Sequence, residues 1–194
     1  MGPAFLTGGI GMTDQIIASS GSVALRRLEN TDEDMALLLS WLTNDKVVAR
    51  VYAEGAPWTA EKIRRAFVGK TRATGTAGCI ILREGAPVGY LQFYPVRRDS
   101  YLASTYALSQ LRNAYGVDMF IGDPQLWRRG IGRQALAALE TLLRSKGIRM
   151  LCADPASDNE IGLRFWPKMG FDPLEVIEDA DDPSSQCVLM LKNL

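Results

Sequence analysis

The run Gly116-Val-Asp-Met-Phe-Ile-Gly-Asp-Pro-Gln-Leu-Trp-Arg-Arg-Gly-Ile-Gly132 places two chemistries side by side. At its end, Arg128-Arg129-Gly130-Ile131-Gly132-Arg133 sets backbone free of side chains against a predicted helix start. The first amides of a helix point outward without partners, and the helix dipole favours an anion. A phosphate or pyrophosphate fits such a place. From Arg128 to Arg149 there are six basic residues and one acid, Glu140, which suits a polyphosphate. A plainer reading makes Gly130 and Gly132 packing glycines and leaves the arginines solvated; a strand followed by GxG at a helix start is the more specific pattern. Nearer the front, Asp118 interrupts Val117, Met119 and Phe120 in a predicted strand, and Asp is a poor strand former. The chain has no histidine, so any general-base work falls to a carboxylate, directly or through water. Asp118 is a candidate, against the alternative of an edge-strand or turn acid.

The missing histidine removes more than that. Ser-His-Asp and Cys-His catalysis, His metal ligation and His-based pH switching all go with it. The three cysteines, Cys79, Cys152 and Cys187, are too far apart for a CxxC pair, and each sits in an apolar, strand-like run. They read as small buried residues, and no metal is expected. Lys plus Arg is 22 and Asp plus Glu is 22, a balance that argues against a protein that coats nucleic acid. With 194 residues, 47% apolar and 23% charged, the chain is long enough to bury a core without staples. No apolar stretch approaches a membrane span, and no secretory signal pattern opens the chain, so cytoplasm is the default compartment.

The elements that must position these residues follow from periodicity and punctuation. Residues 1–21 show little pattern and read as a flexible N-terminal arm; Met12 is a candidate natural start, with an expression remnant before it. Residues 22–194 form the domain. Ser22 to Leu28 reads as a strand. Thr31-x-x-Asp34 resembles a capping box ahead of Met35, Leu38, Leu39 and Leu42 at helical spacing. Asn44 to Trp58 is irregular. Thr59 caps a second helix with Ile63, Ala66 and Phe67 on one face. Gly78–Arg83 and Pro87–Tyr94 are strands joined as a hairpin across Glu84-Gly85. Pro95 to Asn113 is a loop or weak helix. Tyr115–Ile121 is a strand, Gly130–Ser145 an amphipathic helix, Arg149–Ala153 a strand, and Asn159–Met169 a helix. Phe171–Ile177 and Cys187–Lys192 close the sheet as an antiparallel pair. The order β-α-α-β-β-β-α-β-α-β-β is mixed α/β in one domain.

Three phosphate-binding patterns compete on this frame. Gly69-Lys70-Thr71 echoes a P-loop ending, but the required first glycine falls on Arg64. Gly130-x-Gly132-x-x-Ala135 with Asp154 about 20 residues on mimics a dinucleotide fingerprint. Against that, eight residues separate Ile121 from Gly130, and too little chain follows for the further βα units. The third pattern fits the element order. Gly116-Val-Asp-Met-Phe-Ile-Gly122, Arg-Arg-Gly-Ile-Gly132, Asp154-Pro-Ala-Ser-Asp-Asn159 and Trp166-Pro-Lys-Met-Gly-Phe171 together resemble the GNAT superfamily of N-acetyltransferases. More narrowly, with Gly89-Tyr-Leu-Gln-Phe-Tyr94, they resemble the aminoglycoside 6′-N-acetyltransferases. The likeness covers roughly Val23 to Leu191 in element order.

The resemblance implies a GNAT fold: a mixed central sheet with a V-shaped opening between two central strands, flanked by helices. It implies acetyl-CoA as co-substrate and no metal. The backbone of Arg128, Arg129, Gly130, Ile131, Gly132 and Arg133 would hold the pyrophosphate. Met119, Phe120 and Ile121 would pair with pantetheine amides, one amide there polarising the thioester carbonyl. Asn159 matches a position that reaches pantetheine, and Trp166 one that packs against the cofactor. Asp118 matches the base and amine-binding carboxylate.

Asp154 would hold a second amine, or else serve as a helix cap or turn residue. Phe171 to Gln186 carries six acids, Glu178 and Asp179 among them, and no Lys or Arg; it would attract a polycation or be a solvated hairpin tip. Gln92, Tyr94, Asp99 and Tyr101 would add hydrogen bonds and stacking, with Tyr94 partly core. The implied reaction acetylates an amine of an aminoglycoside, the 6′-amino group, and so confers antibiotic resistance. A protein N-terminus or another small amine is the alternative acceptor, and a non-catalytic acyl-CoA-binding module the alternative of another class. The partner is a small polycationic amine, with neither nucleic acid nor membrane, and the protein a monomer or homodimer.

The sequence departs from the family in three places. Trp127 replaces a Gln or Arg three residues before the first glycine. Trp166 replaces a Tyr that can protonate the leaving thiolate, a task for which an indole N–H is too weak an acid; solvent or another hydroxyl would do it. Val48-Ala-Arg-Val51 lacks a tryptophan pair of the sugar-binding wall.

Overall fold

The protein's structure, a computed structural model, describes residues 16–44, 58–69, 75–96, 113–178 and 184–194. In chain order these form β1 (Ile16–Ser20), β2 (Val23–Arg27), α1 (Asp32–Asn44) and α2 (Ala60–Ile63), which runs into a π-helical turn over Arg64–Gly69. Then come β3 (Ala77–Arg83), β4 (Ala86–Pro95), β5 (Ala114–Ile121), a 3-10 turn (Pro124–Leu126), α3 (Ile131–Ser145) and β6 (Met150–Ala153). The chain closes with α4 (Glu160–Lys168), β7 (Asp172–Glu178) and β8 (Gln186–Asn193). The strands make one eight-stranded sheet in the order β1-β2-β3-β4-β5-β6-β8-β7. Every neighbouring pair is antiparallel except β5 and β6, which run parallel.

The expected mixed α/β order is present with one strand added in front. Residues 16–20, read from sequence as part of a flexible arm, instead pair with β2 as an edge strand. Ile17 and Ala18 lie against the core, and five residues are too few to display a period. The turn that follows is tied to α3: the Ser22 amide donates to Gln134 Oε1 at 2.9 Å.

Alternation along the strands sends side chains to two apolar layers. Leu25, Cys79, Ile81, Leu91 and Val117 face α3 and α4, meeting Ile131, Ala135, Leu136, Leu139 and Trp166. Ile80, Leu82, Tyr90 and Phe120 face the other way, under Met35, Leu38 and Leu42 of α1, Ile63 of α2 and Phe67 of the π-helical turn. Strands buried on both faces read as continuous apolar runs, as Cys79-Ile-Ile-Leu82 does.

The anticipated capping box is half made. Thr31 Oγ1 accepts the Asp34 amide at 3.2 Å. The Asp34 carboxylate instead takes both ends of the Arg26 guanidinium, at 3.0 and 2.5 Å, bolting α1 to β2. On α3, Glu140 sits inside the buried stripe and receives Lys192 Nζ of β8 at 2.5 Å. All three cysteines are free and buried. The β3–β4 turn carries Glu84 and Gly85 at φ 52 and 83, the successive positive angles of a tight hairpin. Among the described residues no helix is long and apolar enough to cross a membrane.

Candidate active site

The site begins with the way β5 leaves its neighbour. It keeps seven register pairs with β4, from Gly89↔Ile121 to Pro95↔Tyr115. With β6 it keeps three, the last being Gly116↔Cys152. Beyond Gly116 the two parallel strands part, and a V-shaped opening lies between them. Hydrogen bonds at the ends of the β4–β5 ladder, Gly122 N to Val88 O and Val96 N to Ala114 O, each at 3.0 Å, fix the direction of every residue between. Even-numbered residues of β5 turn their main-chain groups to β4, and odd-numbered ones turn theirs to the opening. Met119 and Ile121 therefore offer main chain to the opening. Phe120 does not: its carbonyl faces β4, so close that a Cβ on Gly89 would stand 2.3 Å from it. The expected pantetheine pairing of Phe120 is thus corrected; its ring belongs to the α1 and α2 layer, edge-on to Trp41.

The loop beyond β5 is shaped by its backbone. Asp123 Oδ1 caps the 3-10 turn through the Gln125 amide at 2.8 Å. Arg128 and Gly130 both hold left-handed angles, φ 59 and 78, a conformation that curls successive amides toward one point. Gly130 precedes α3 without any side-chain cap. The first amide of the run to meet a protein acceptor is that of Gln134, on Gly130 O at 3.1 Å. Arg128, Arg129 and Arg133 are exposed around this mouth, with Arg129 Nε leaning on Gln125 O at 3.0 Å. The side chain of Ile131 goes into the core, so only its amide serves the mouth. Gly132 lies close under Phe165 of α4, and a Cβ there would stand 3.2 Å from that ring and 3.4 Å from Met119 Cε. Trp127 donates its indole N–H to Ile121 O at 2.9 Å, pinning the loop to the end of β5 and occupying one carbonyl of the opening.

Two other expected cofactor contacts sit differently. Asn159 caps its own helix, accepting the Gly162 amide on Oδ1 at 3.0 Å. Trp166 is 6% exposed, packed between Phe165 and Phe171 at centroid distances of 5.1 and 4.9 Å. It is a core residue, and the aromatic of α4 that lies over Gly132 is its neighbour Phe165.

The opposite face carries a carboxylate. Asp118 shares the α1 and α2 side of the sheet with Phe120 and stands opposite Gln92 of β4. Gln92 Nε2 donates to Asp118 Oδ2 at 2.7 Å, so the amide expected to touch substrate is engaged by the carboxylate. Tyr94 lies across Gly116, where a Cβ would fall 2.3 Å from the ring. Asp154 directly follows the last residue of β6 and is half-buried. Burial and, after it, the Asp154 charge push the Cys152 thiol up to about 12. Glu178 is exposed on the outer strand β7, opposite Gln186, whose carbonyl accepts the Ser157 amide at 2.7 Å. Asp99, Tyr101 and Asp179, and the Val48–Val51 stretch, lie outside the described residues. Among the described residues no cluster of three or more His, Cys, Asp or Glu could hold a metal.

Sequence reasoning missed Tyr90, Trp41 and Phe165. Tyr90 stood in the quoted GYLQFY run, Trp41 beside the apolar stripe of α1, and Phe165 beside the quoted Trp166.

Comparisons with known proteins agree with this fold. Residues 30–178 match the family model described as an acetyltransferase (GNAT) domain. Aminoglycoside N(6′)-acetyltransferase type 1 of Klebsiella pneumoniae and that of Serratia marcescens are each 24% identical over 168 residues, 86% of this chain and 82% of theirs. Among solved structures, aminoglycoside acetyltransferase AAC(6′)-Ib with coenzyme A and kanamycin is similar at a TM-score of 0.73 and 22% identity, over 89% of this chain and 95% of that one. An uncharacterized protein of Bacillus halodurans is similar at 0.74 and 18%, over 88% and 83%. At these identities the structures bear on the fold.

Proposed function

This chain belongs to the GNAT acetyltransferase family, and on that premise we propose that it moves an acetyl group from acetyl-CoA to a primary amine of an aminoglycoside, the 6′-amino group. The relatives' names, aminoglycoside N(6′)-acetyltransferases, support the acceptor class. One observation carries the chemistry. A single strand, β5, separates a mouth of unpaired amides on one side from a carboxylate on the other.

Acetyl-CoA supplies the acetyl group as a thioester. The amides of Arg128 to Arg133 hold its diphosphate, and the exposed arginines add charge. The Met119 main chain orients the pantetheine arm, and an amide at this edge polarises the thioester carbonyl. Asp118 attracts the acceptor ammonium and takes its proton, directly or through water. The amine nitrogen then bonds to the carbonyl carbon and the carbon–sulfur bond breaks. With Trp166 buried where the family has Tyr, solvent returns a proton to the thiolate, whose thiol pKa is near 8.5. Asp154 and the acidic β7–β8 hairpin hold further ammonium groups of the polycation. The setting is the cytoplasm, the protein a monomer or homodimer, and nucleic acid no partner.

Incubation with acetyl-CoA and kanamycin, followed by mass spectrometry, should show a monoacetylated product and free thiol. Binding of CoA with no turnover on a panel of aminoglycosides, peptides and small amines would overturn the enzyme reading. Turnover on peptides alone would overturn the acceptor class.

A further inference from the structure

The Asp118 carboxylate is the near end of a hydrogen-bonded chain that starts deep in the core. Gln92 Nε2 donates to it at 2.7 Å, and Gln92 Oε1 in turn accepts the Tyr90 hydroxyl at 3.0 Å. Tyr90 is fully buried, its ring between Phe67 and Phe120 at centroid distances of 5.0 and 5.8 Å. The hydroxyl occupies room left by Gly78, where a Cβ would stand 2.8 Å from it. Burial, then the Cys79 and Asp118 charges, push the Tyr90 pKa well above its ordinary 10.0, so the hydroxyl stays a donor throughout the working range.

A glutamine amide has an accepting end and a donating end of nearly equal size. Left alone beside a carboxylate and a polycation, it would serve either. A donor fixed on Oε1 removes that freedom, because the other end must then present N–H.

We propose that Tyr90 is a positioning residue for the acetyl transfer: its buried hydroxyl fixes the orientation of the Gln92 amide, and through it the orientation and ionised form of the Asp118 carboxylate. This rests on the reading of Asp118 as the group that takes the acceptor's proton. Among the described residues, the ionisable groups on that face are Tyr90 and Tyr94 of β4 and, further along the row Arg26, Ile80, Tyr90, Phe120, the buried Arg26–Asp34 pair that joins β2 to α1; Asp154 follows the end of β6. Met35, Leu38, Leu42, Ile63 and Phe67 pack over Tyr90 and Phe120.

The test is a double-mutant cycle read in two ways. The first readout needs no turnover: carbon-13 titration of the Asp118 carboxyl in the free protein, assigned with Asp118→Asn. Loss of a hydrogen bond to a charged group should raise its midpoint by about one pH unit in Gln92→Leu. Tyr90→Phe should raise it by a smaller amount, and should add nothing in the Gln92→Leu background. The second readout is kinetic. Tyr90→Phe should lower kcat severalfold, up to about tenfold, with the KM for acetyl-CoA unchanged, and this effect too should vanish in the Gln92→Leu background.

A midpoint unmoved by Tyr90→Phe, or a Tyr90→Phe effect of equal size with Gln92 present and absent, would overturn the proposal. The outcomes separate it from the functional reading. A coupled shift of the midpoint without turnover on any amine defeats the reaction and leaves the orientation of Asp118 standing. Kanamycin turnover with no coupling does the reverse.

Discussion

The two seams that flank β5 differ in a way that organises the molecule. Toward β4 the strand is knitted over seven pairs, toward β6 over three. The long seam takes the main chain of even-numbered residues, Asp118 among them, and leaves their side chains on the α1 face. The short seam frees the main chain of odd-numbered residues and sends their side chains to α3; Met119 and Ile121 are those. On the proposed reaction, the strict period of two in a strand sorts one short segment into side chains for the acceptor and backbone for the donor. A site made of side chains depends on residue identity, and a site made of backbone depends on conformation.

The sharpest probe of that division is Asp118→Asn. It keeps shape and removes the proposed base, so kcat should fall by about a hundredfold or more while the KM for acetyl-CoA stays put. A large rise in that KM would erase the distinction between the two sides.

The alkaline limit tests the seams themselves. Burial raises both Cys79 and Cys152 to about 12 from an ordinary 9.0. Between these values the unfolded chain releases thiol protons that the folded chain keeps, so the unfolded state binds fewer protons and stability falls as pH rises. The slope should be about 1.4 kcal/mol per pH unit for each thiol. Denaturant unfolding at pH 9 to 11 checks it, and replacing both cysteines by alanine should flatten it. Cys152 belongs to the last pair of the short seam, so a thiol reagent should label it before Cys79. The opposite order would show that the short seam is as firm as the long one.

On the backbone-made side, Gly130→Ala forces a side chain onto a left-handed angle and should cost about 1–2 kcal/mol, read in Tm, with a raised KM for acetyl-CoA and little change in kcat. Arg128→Gly should relax its own left-handed angle and disturb that KM less than Gly130→Ala does. If the arginine proved the more costly loss, the phosphate mouth would be a charge site more than an amide site. The smallest effect belongs to the remote hairpin. Glu84→Asn suits a positive φ better and should add about 0.5 kcal/mol of stability with unchanged kinetics.

How much of this was legible in the sequence follows the same division. The turn into α3 was, because glycines and helix starts are local signals; the strand that carries Asp118 was, because its apolar run stands out around the acid. The misreading of Phe120 has a plain cause. Which edge a residue's main chain faces depends on its register against Val88, some thirty residues earlier, and nothing local encodes it. The bond of Gln92 to Asp118 spans 26 positions, and no local signal announces it. Trp127 was read as a lost phosphate contact, whereas its indole closes the loop onto Ile121. Residues 16–20 hid as a tail because an edge strand of five residues declares itself only through β2.

The aromatic residues around the opening have an optical consequence. Of the chain's four tryptophans, Trp127 is bonded to the last residue of β5, and Trp41 lies so close over Gly122 that a Cβ would fall 2.2 Å from its ring. Trp166 packs edge-on against the phenylalanine above Gly132. With the coenzyme in the proposed site, their intrinsic fluorescence is a built-in gauge of its loading, readable on unlabelled protein and able to time an encounter that no product assay would see.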